Sequence, residues 1–356
     1  AFCLADASGL FAQCNLCGAR TVKCLVRIGS ALALIISLLA VHAQSVAQTA
    51  ADTPLNAWLL RVHEASRQRA YSGTFVVSAG GNMASAKIWH VCDGNQQVER
   101  VETLTGTPRS TFRRNDQVIT FFPDSKVAVT ERRESLGLFP NLLKSNDSAI
   151  GDFYQLRQQP GERIAGFDAE VVHLVPKDPL RYGYRVWSER RTGLVIQLQT
   201  LDLEGRVLEQ AAFSELQLDS PVSMGKLTQM MGHTEGYRVE RTDLQKTTAD
   251  AQGWVLRKAV TGFKPMGCYL RPMGVLAGSA GQSGHAMQWV FSDGLAMVSL
   301  FVEAYDSRRH AREGATELGG ATHTLTRRIS DWWVTAVGEV PLSTLNAFAQ
   351  GLERKK

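Results

Sequence analysis

Hydrophobic positions follow two periods along this chain. Leu55, Trp58, Leu59 and Val62 recur at helical spacing, with Arg61, Glu64 and Arg67 off the stripe. That pattern predicts an amphipathic helix. Thr53 can cap it and Pro54 suits its first turn, so it opens at Asp52-Thr53-Pro54 and ends near Ala70. From Tyr71 onward the period shortens. Residues 74–78, 85–92, 98–104, 117–122 and 126–130 are short runs rich in β-branched and aromatic residues, with Asn95, Asn115-Asp116 and Pro123-Asp124 as turns. Residues 136–158 break the rhythm, as a helix or irregular chain would. Strands resume at Ile164, 171–175, 182–188, 194–201 and 207–213, with turns at 165–168, 177–179, 190–193 and 202–205. The result is an antiparallel meander preceded by one long helix. Such a sheet buries one face, and a single helix covers only part of it. The remainder calls for a second core layer or a cavity for an apolar ligand.

Residues 219–236 are polar and contain Ser220-Pro221, Gly225, Gly232 and Gly236, which reads as a linker. A smaller domain follows over 237–352. In it 254–260 forms a strand, 287–291 and 295–303 form a hairpin around Ser292-Asp293-Gly294, and 322–328 pairs with 332–337. Pro341 opens a last helix with Leu342, Leu345, Phe348 and Leu352 on one side. Gly274, Gly278, Gly281 and Gly284 fit neither a P-loop nor a dinucleotide fingerprint and read as a hairpin loop.

The first 43 residues follow different rules. Arg20, Lys23 and Arg27 precede an apolar run over 28–41, and Ala43 or Ala47 offers a cleavage site. The run is shorter than the ~20 residues that span a bilayer, so 1–43 is a leader with a secretory signal peptide. Residues 1–19 precede the charges where a signal normally starts, which points to a translation start nearer Val22 or Val26. The mature chain is then expected outside the cytoplasm.

Composition narrows the function. Of 356 residues 44% are hydrophobic and 21% charged, and the formal charge of +5 is too small to argue for nucleic acid. Cys14 and Cys17 lack a second ligand pair, so no metal site is expected. Cys92 and Cys268 are the only cysteines after residue 24; export permits their pairing, although two separate thiols are the simpler reading. No close histidine pair and no G-x-S-x-G elbow is present, so neither an enzyme nor a cofactor is expected. Five Arg-Arg pairs stand out, and Arg113, Arg114, Arg190 and Arg191 are the candidates for an anionic ligand because guanidinium forks grip phosphate and carboxylate. Solvated turn residues remain the bland alternative.

Four segments taken together carry a family resemblance: Arg181-Tyr182-Gly183-Tyr184-Arg185-Val186-Trp187, Thr192-Gly193-Leu194, Asp202-Leu203-Glu204-Gly205 and Leu208-Glu209-Gln210. Tyr71-Ser72-Gly73-Thr74-Phe75, Phe291-Ser292-Asp293-Gly294-Leu295 and Val337-Gly338-Glu339-Val340-Pro341 extend it over about 52–352. In these segments the chain resembles the RseB/MucB family of periplasmic sigma-E regulators. The resemblance implies an α+β, mostly antiparallel fold: a LolA/LppX-like half-barrel with helical cover over 52–218, and a smaller C-terminal sheet-and-helix domain. It implies binding to the periplasmic part of a membrane anti-sigma factor of the RseA/MucA type. That binding would shield the factor from regulated proteolysis, with release by lipid or lipopolysaccharide. A lipid or lipoprotein carrier on the same half-barrel is the alternative. Alternation then gives one candidate lipid-cavity face, Phe75, Val77, Trp89, Phe121, Tyr184, Val186, Leu194, Ile196 and Leu198, each of which also suits a plain core. For the partner, the candidates are Asp293, Gly294, Trp332 and Trp333 in the small-domain hairpins. Oligomeric state stays open.

Overall fold

The computed structural model describes residues 55–132, 139, 150–241, 244–272, 284–310 and 312–355. The expected signal segment, the cap at Thr53, most of 136–149 and most of the Gly-rich loop lie outside them. No helix among the described residues is long and apolar enough to cross a membrane.

Helix α1 covers 55–68 and ends where the sequence places its end. Its stripe of Leu55, Trp58, Leu59 and Val62 is buried against Val172, Leu174, Tyr184, Val186 and Leu198. These belong to a twelve-stranded sheet. Its first half is the meander β1 (Tyr71–Ala79), β2 (Asn82–Cys92), β3 (Gln97–Thr103), β4 (Ser110–Arg114), β5 (Gln117–Phe122) and β6 (Val127–Arg132). The short helix α2 (Ile150–Phe153) leads into β7 (Tyr154–Ile164), β8 (Phe167–Pro176), β9 (Gly183–Glu189), β10 (Val195–Leu201) and β11 (Val207–Leu218). Strand β11 pairs with β1 and so joins the two meanders into one antiparallel sheet, with β7 at one edge.

Two of these eleven strands escaped the sequence pattern, as did the later ones at 238–241, 245–247, 264–272, 314–319 and 352–354. Within Ser-Thr-Phe-Arg-Arg of β4 the one large apolar residue is Phe112. Strand β7 is polar and carries Pro160, both tolerated because an edge strand leaves one side of its backbone free. The stretch read as a linker is also folded. Helix α3 (Met224–Gly232) starts at Ser223, whose hydroxyl accepts the Lys226 N–H at 3.2 Å. Leu227 and Met231 pack on Val98, Phe112, Ile119 and Phe121. Strand β12 (Arg238–Arg241) then adds to β6 in parallel. Two buried residues on a short helix are too weak a period to read in a Gly- and Thr-rich stretch.

The second sheet has seven strands in the order β13-β15-β16-β17-β20-β19-β18. They are β13 (Gln245–Thr247), β15 (Lys264–Pro272), β16 (His285–Ser292), β17 (Met297–Ala304), β18 (Gly314–Gly319), β19 (Thr322–Ile329) and β20 (Trp332–Gly338). Both expected hairpins are there. Helix α4 (Leu342–Gly351) follows Pro341 and lays Leu345 and Phe348 into the core beside Phe263, Phe291 and Leu300. Strand β14 (Trp254–Leu256), shorter than expected, pairs with a terminal β21 (Leu352–Arg354). Cys268 lies buried in this core and Cys92 half-buried on β2, and both are free thiols.

Candidate functional site

Alternate residues of a strand face opposite sides, and paired residues share a side. In β1 and β2, Phe75 pairs with Ala86 and Val77 with Ala84. A large residue opposite a small one on each rung leaves a trough. Val101 and Phe122 extend it, and Thr103, Thr105, Thr107 and Arg109 wall one side, giving an open apolar groove of about 440 Å³. The wall is ordered by the Thr105 hydroxyl, which accepts the Ser85 N–H at 2.9 Å, and by Thr103, which accepts the Arg109 N–H at 2.9 Å.

Only Phe75 and Val77 of the expected cavity face line this groove. Trp89 and Phe121 must be reassigned. Trp89 pairs with Ser72, out of phase with Phe75, so it points to the opposite face, where both lie in the layer under α3. Tyr184, Val186 and Leu198 are core against α1. Leu194 and Ile196 fill an adjoining core with Tyr71, Trp187 and Phe213. A bulge between Val195 and Gln197 interrupts the simple alternation on which one common face relied.

Arg113 also leaves the anion-binding set. It is buried and donates to Glu99 at 3.0 Å, Gln97 at 3.2 Å and the Asn115 carbonyl at 3.1 Å. Beside it His90 is buried, stacked on Tyr71 at 4.9 Å and bonded through Nδ1 to the Arg69 carbonyl at 2.7 Å. Burial holds the His90 imidazole below its ordinary value. Arg114 donates from Nε and Nη2 to the Gln96 side chain at 3.0 and 2.6 Å. Arg190 and Arg191 stay exposed on the β9–β10 turn.

The partner-face candidates fare differently again. Asp293 and Gly294 are buried at the tip of the β16–β17 hairpin, which reaches the first sheet. Asp293 Oδ1 accepts the N–H groups of Leu295 at 2.9 Å and Ala296 at 2.8 Å. Its Oδ2 accepts from Arg181 Nη1 at 3.0 Å and from the Tyr154 hydroxyl at 3.1 Å. Arg181 is fully buried and bonds Asp178 at 3.0 Å and the Thr261 carbonyl at 2.7 Å, with Phe153 against its guanidinium at 4.4 Å. Next to this pair Leu295 enters the α1 core. Asp293 is therefore a clamp between the two sheets, not an exposed contact. Burial pushes its carboxyl above the ordinary value, against the opposing pull of two N–H groups and Arg181. Arg181 had no signal as a site residue in the sequence. An apolar Leu295 beside a charged turn, in Phe-Ser-Asp-Gly-Leu-Ala, was the available hint.

Trp332 and Trp333 do point to opposite faces. Trp333 is buried and stacked on His310 at 4.8 Å. Trp332 is half-buried, edge-on to Trp254 at 5.8 Å and beneath Arg354 at 4.8 Å. The turn between β18 and β19 makes a second contact between the sheets. A side chain at Gly80 would come within 3.0 Å of Gly319 Cα, and one at Gly320 within 2.8 Å of Ala79 and Glu209. Glu209 accepts the Ala321 N–H there, and burial raises its carboxyl. This contact sits at the β1–β2 turn, beyond the Ser78–Met83 and Ala79–Asn82 pairs that follow Val77 and Ala84 of the groove. Among the described residues no cluster of His, Cys, Asp and Glu could hold a metal ion.

Comparison with known proteins gives a coherent set. Residues 54–231 match the MucB/RseB N-terminal domain and residues 248–353 the MucB/RseB C-terminal domain. The sigma factor AlgU regulatory protein MucB of Pseudomonas aeruginosa is 28% identical over 328 residues, covering 91% of this chain and 96% of that protein. The sigma-E factor regulatory protein RseB of Haemophilus influenzae is 25% identical, covering 79% and 85%. Among solved structures, the Pseudomonas aeruginosa MucA/MucB complex superimposes with a TM-score of 0.64 at 25% identity, over 85% of this chain and 99% of that one. A second complex, of MucB with the periplasmic part of MucA, gives 0.62 at 25% identity over 84% and 98%.

Proposed function

The chain belongs to the MucB/RseB family, and from that premise we propose that it regulates a sigma-E-type envelope-stress response by binding. Its partner is the periplasmic part of a membrane anti-sigma factor of the RseA/MucA type. While bound, it shields that factor from regulated proteolysis and so keeps the response off. It is exported to the periplasm, with its signal removed near Ala43 or Ala47, and it acts by occupancy rather than turnover. The observation that carries this reading is the match of both domains, in order, to a regulator whose solved complexes contain the periplasmic part of MucA.

The apolar groove supports a lipid or lipopolysaccharide signal that releases the partner. Each CH₂ buried there contributes ~0.8 kcal/mol. Release requires only that lipid prefer the partner-free state, and the coupling is then reciprocal. On β1 and β2 the groove lining reaches Val77 and Ala84, and the β1–β2 turn beyond them touches the small sheet at Gly319 and Gly320. A shift of that hairpin on filling is felt by the small sheet without any long relay.

The test is a pull-down with residues 44–356 as bait for the host anti-sigma factor's periplasmic segment, with and without lipopolysaccharide fragments. Capture that the fragments reverse supports the regulator. Lipid capture without partner at low salt supports the carrier reading, which the groove alone would equally favour. Ala84→Phe, which fills the trough from an exposed position, is expected to keep partner binding and lose its reversal by lipid.

A further inference from the structure

Strands β8 and β9 pair Ala169 with Glu189, which sets the β7–β8 turn beside the β9–β10 turn. The clamp at Arg181 and Asp293 lies at the other end of these strands. Between the two turns is a polar groove of about 460 Å³ lined by Arg163, Gly166, Phe167, Asp168, Glu189, Arg190 and Arg191. We propose that this groove binds a phosphomonoester-type oxyanion, at a place separate from the apolar groove.

Three arginines converge here, and the backbone positions them. Arg163 donates from Nε and Nη2 to the Gly166 carbonyl, both at 3.4 Å, which aims its remaining N–H groups away from the turn. The Arg190 backbone N–H is fixed to the Asp168 carbonyl at 2.9 Å. Its guanidinium lies across the bulge in β7: a side chain at Gly161 would come within 2.9 Å of Arg190 Nη2. Glycine there makes the close approach possible.

The acids around the groove do not cancel this charge. Glu189 is buried and turned inward, accepting the N–H groups of Arg191 at 3.2 Å and Thr192 at 2.7 Å. Burial alone would raise its carboxyl, and the bonds from Thr192 and Arg191 bring it below the ordinary value. It reaches one guanidinium, Arg191 Nε, at 3.5 Å. Among the described residues neither Arg163 nor Arg190 has a carboxylate partner. Asp168 is the one further acid on the lining, so three guanidinium groups face two carboxylates. A doubly charged phosphate can accept from two forks at once, which a single carboxylate does less well.

The experiment is an NMR titration of the ¹⁵N-labelled chain, residues 44–356, with inorganic phosphate at low ionic strength. Saturable shifts confined to 165–168 and 189–193, weakening as salt is raised, are expected. The Arg163→Ala/Arg190→Ala chain should bind ~tenfold more weakly or worse, with an unchanged circular dichroism spectrum. Arg163→Lys/Arg190→Lys should recover part of the loss, because charge returns without the fork. Shifts that never saturate, or equal affinity in the alanine chain, overturn the proposal. Vesicles of phosphatidylcholine with and without phosphatidic acid separate the sources. Retention on phosphatidic acid that free phosphate displaces assigns a lipid headgroup. Phosphate binding with no retention assigns a soluble phosphate. Retention undiminished in the alanine chain, with no saturable phosphate binding, overturns the site.

Discussion

Two aspartate turns in this molecule are built alike and behave in opposite ways. At the β10–β11 turn, Asp202 Oδ1 accepts the N–H groups of Glu204 at 3.0 Å and Arg206 at 2.8 Å, and Oδ2 accepts from Arg206 Nε at 2.6 Å. At the β16–β17 turn, Asp293 likewise takes two backbone N–H groups on one oxygen and an arginine on the other. The bonds are nearly the same, but the surroundings are not. Arg206 is four residues away and exposed, and Leu203 beside it faces solvent. Arg181 is 112 residues away and sealed, and Leu295 is core. Burial alone would raise the Asp202 carboxyl, and the Arg206 and Glu204 bonds bring it below its ordinary value. Asp293 goes the other way because desolvation outweighs the same bonds. A turn motif thus fixes local geometry, while what packs over it decides whether it caps a hairpin or joins two sheets.

The sharpest way to break this comparison is to remove each arginine. Arg181→Met leaves a buried carboxylate without its cation and should cost about 3–5 kcal/mol in urea unfolding. Combined with Asp293→Asn, the loss should be clearly less than the sum of the two single losses, since both act on one pair. Additive losses would mean that the pair does not couple the sheets.

The leucines come next. Leu295→Ala should cost about 2–5 kcal/mol by opening a cavity against α1, whereas Leu203→Ala should fall within about 0.5 kcal/mol of the parent. Equal effects in the same unfolding assay would contradict the assigned burial.

Acid titration separates the aspartates by sign rather than size. Asp202, with its folded value lowered, gives stability that is present above the unfolded value of 3.8 and lost as pH falls through the folded value. Asp293, with its value raised, gives stability that is present below 3.8 and lost as pH rises through the folded value. Asp202→Asn and Asp293→Asn should therefore bend the stability–pH curve in opposite senses, and carboxyl ¹³C titrations should place the two on either side of 3.8.

The smallest effect belongs to Arg206→Met. An exposed pair with a neighbour four residues off contributes little, so its unfolding midpoint should match the parent at ordinary salt. A clear loss there would show that local pairing, not burial, sets the difference between the turns.

Much of the fold was legible because it is local. The α1 stripe, the strand at 117–122, the hairpin around Ser292-Asp293-Gly294 and the Pro341 helix start all follow from period and turn chemistry. Strand β4, edge strand β7 and helix α3 were hidden because too few apolar residues mark them. The candidate sites were legible less evenly. Phe75 and Val77 do line a groove, yet Trp89, equally apolar and on the next strand, lies on the far side. Arg113 and Arg190 each open an Arg-Arg pair, yet one is buried on Glu99 and the other lines an open groove.

Sequence alone therefore determined where this chain turns, which residues alternate within each strand, and the family whose order of segments it shares. Alternation sets a side chain's direction only relative to its own strand. The tertiary structure decided which of those directions meet. Strand pairing, a bulge at Val195 and contacts such as Tyr154 to Asp293, 139 residues apart, choose the common face. It also decided charge, because desolvation is a property of what surrounds a carboxylate and not of the residues beside it in the chain.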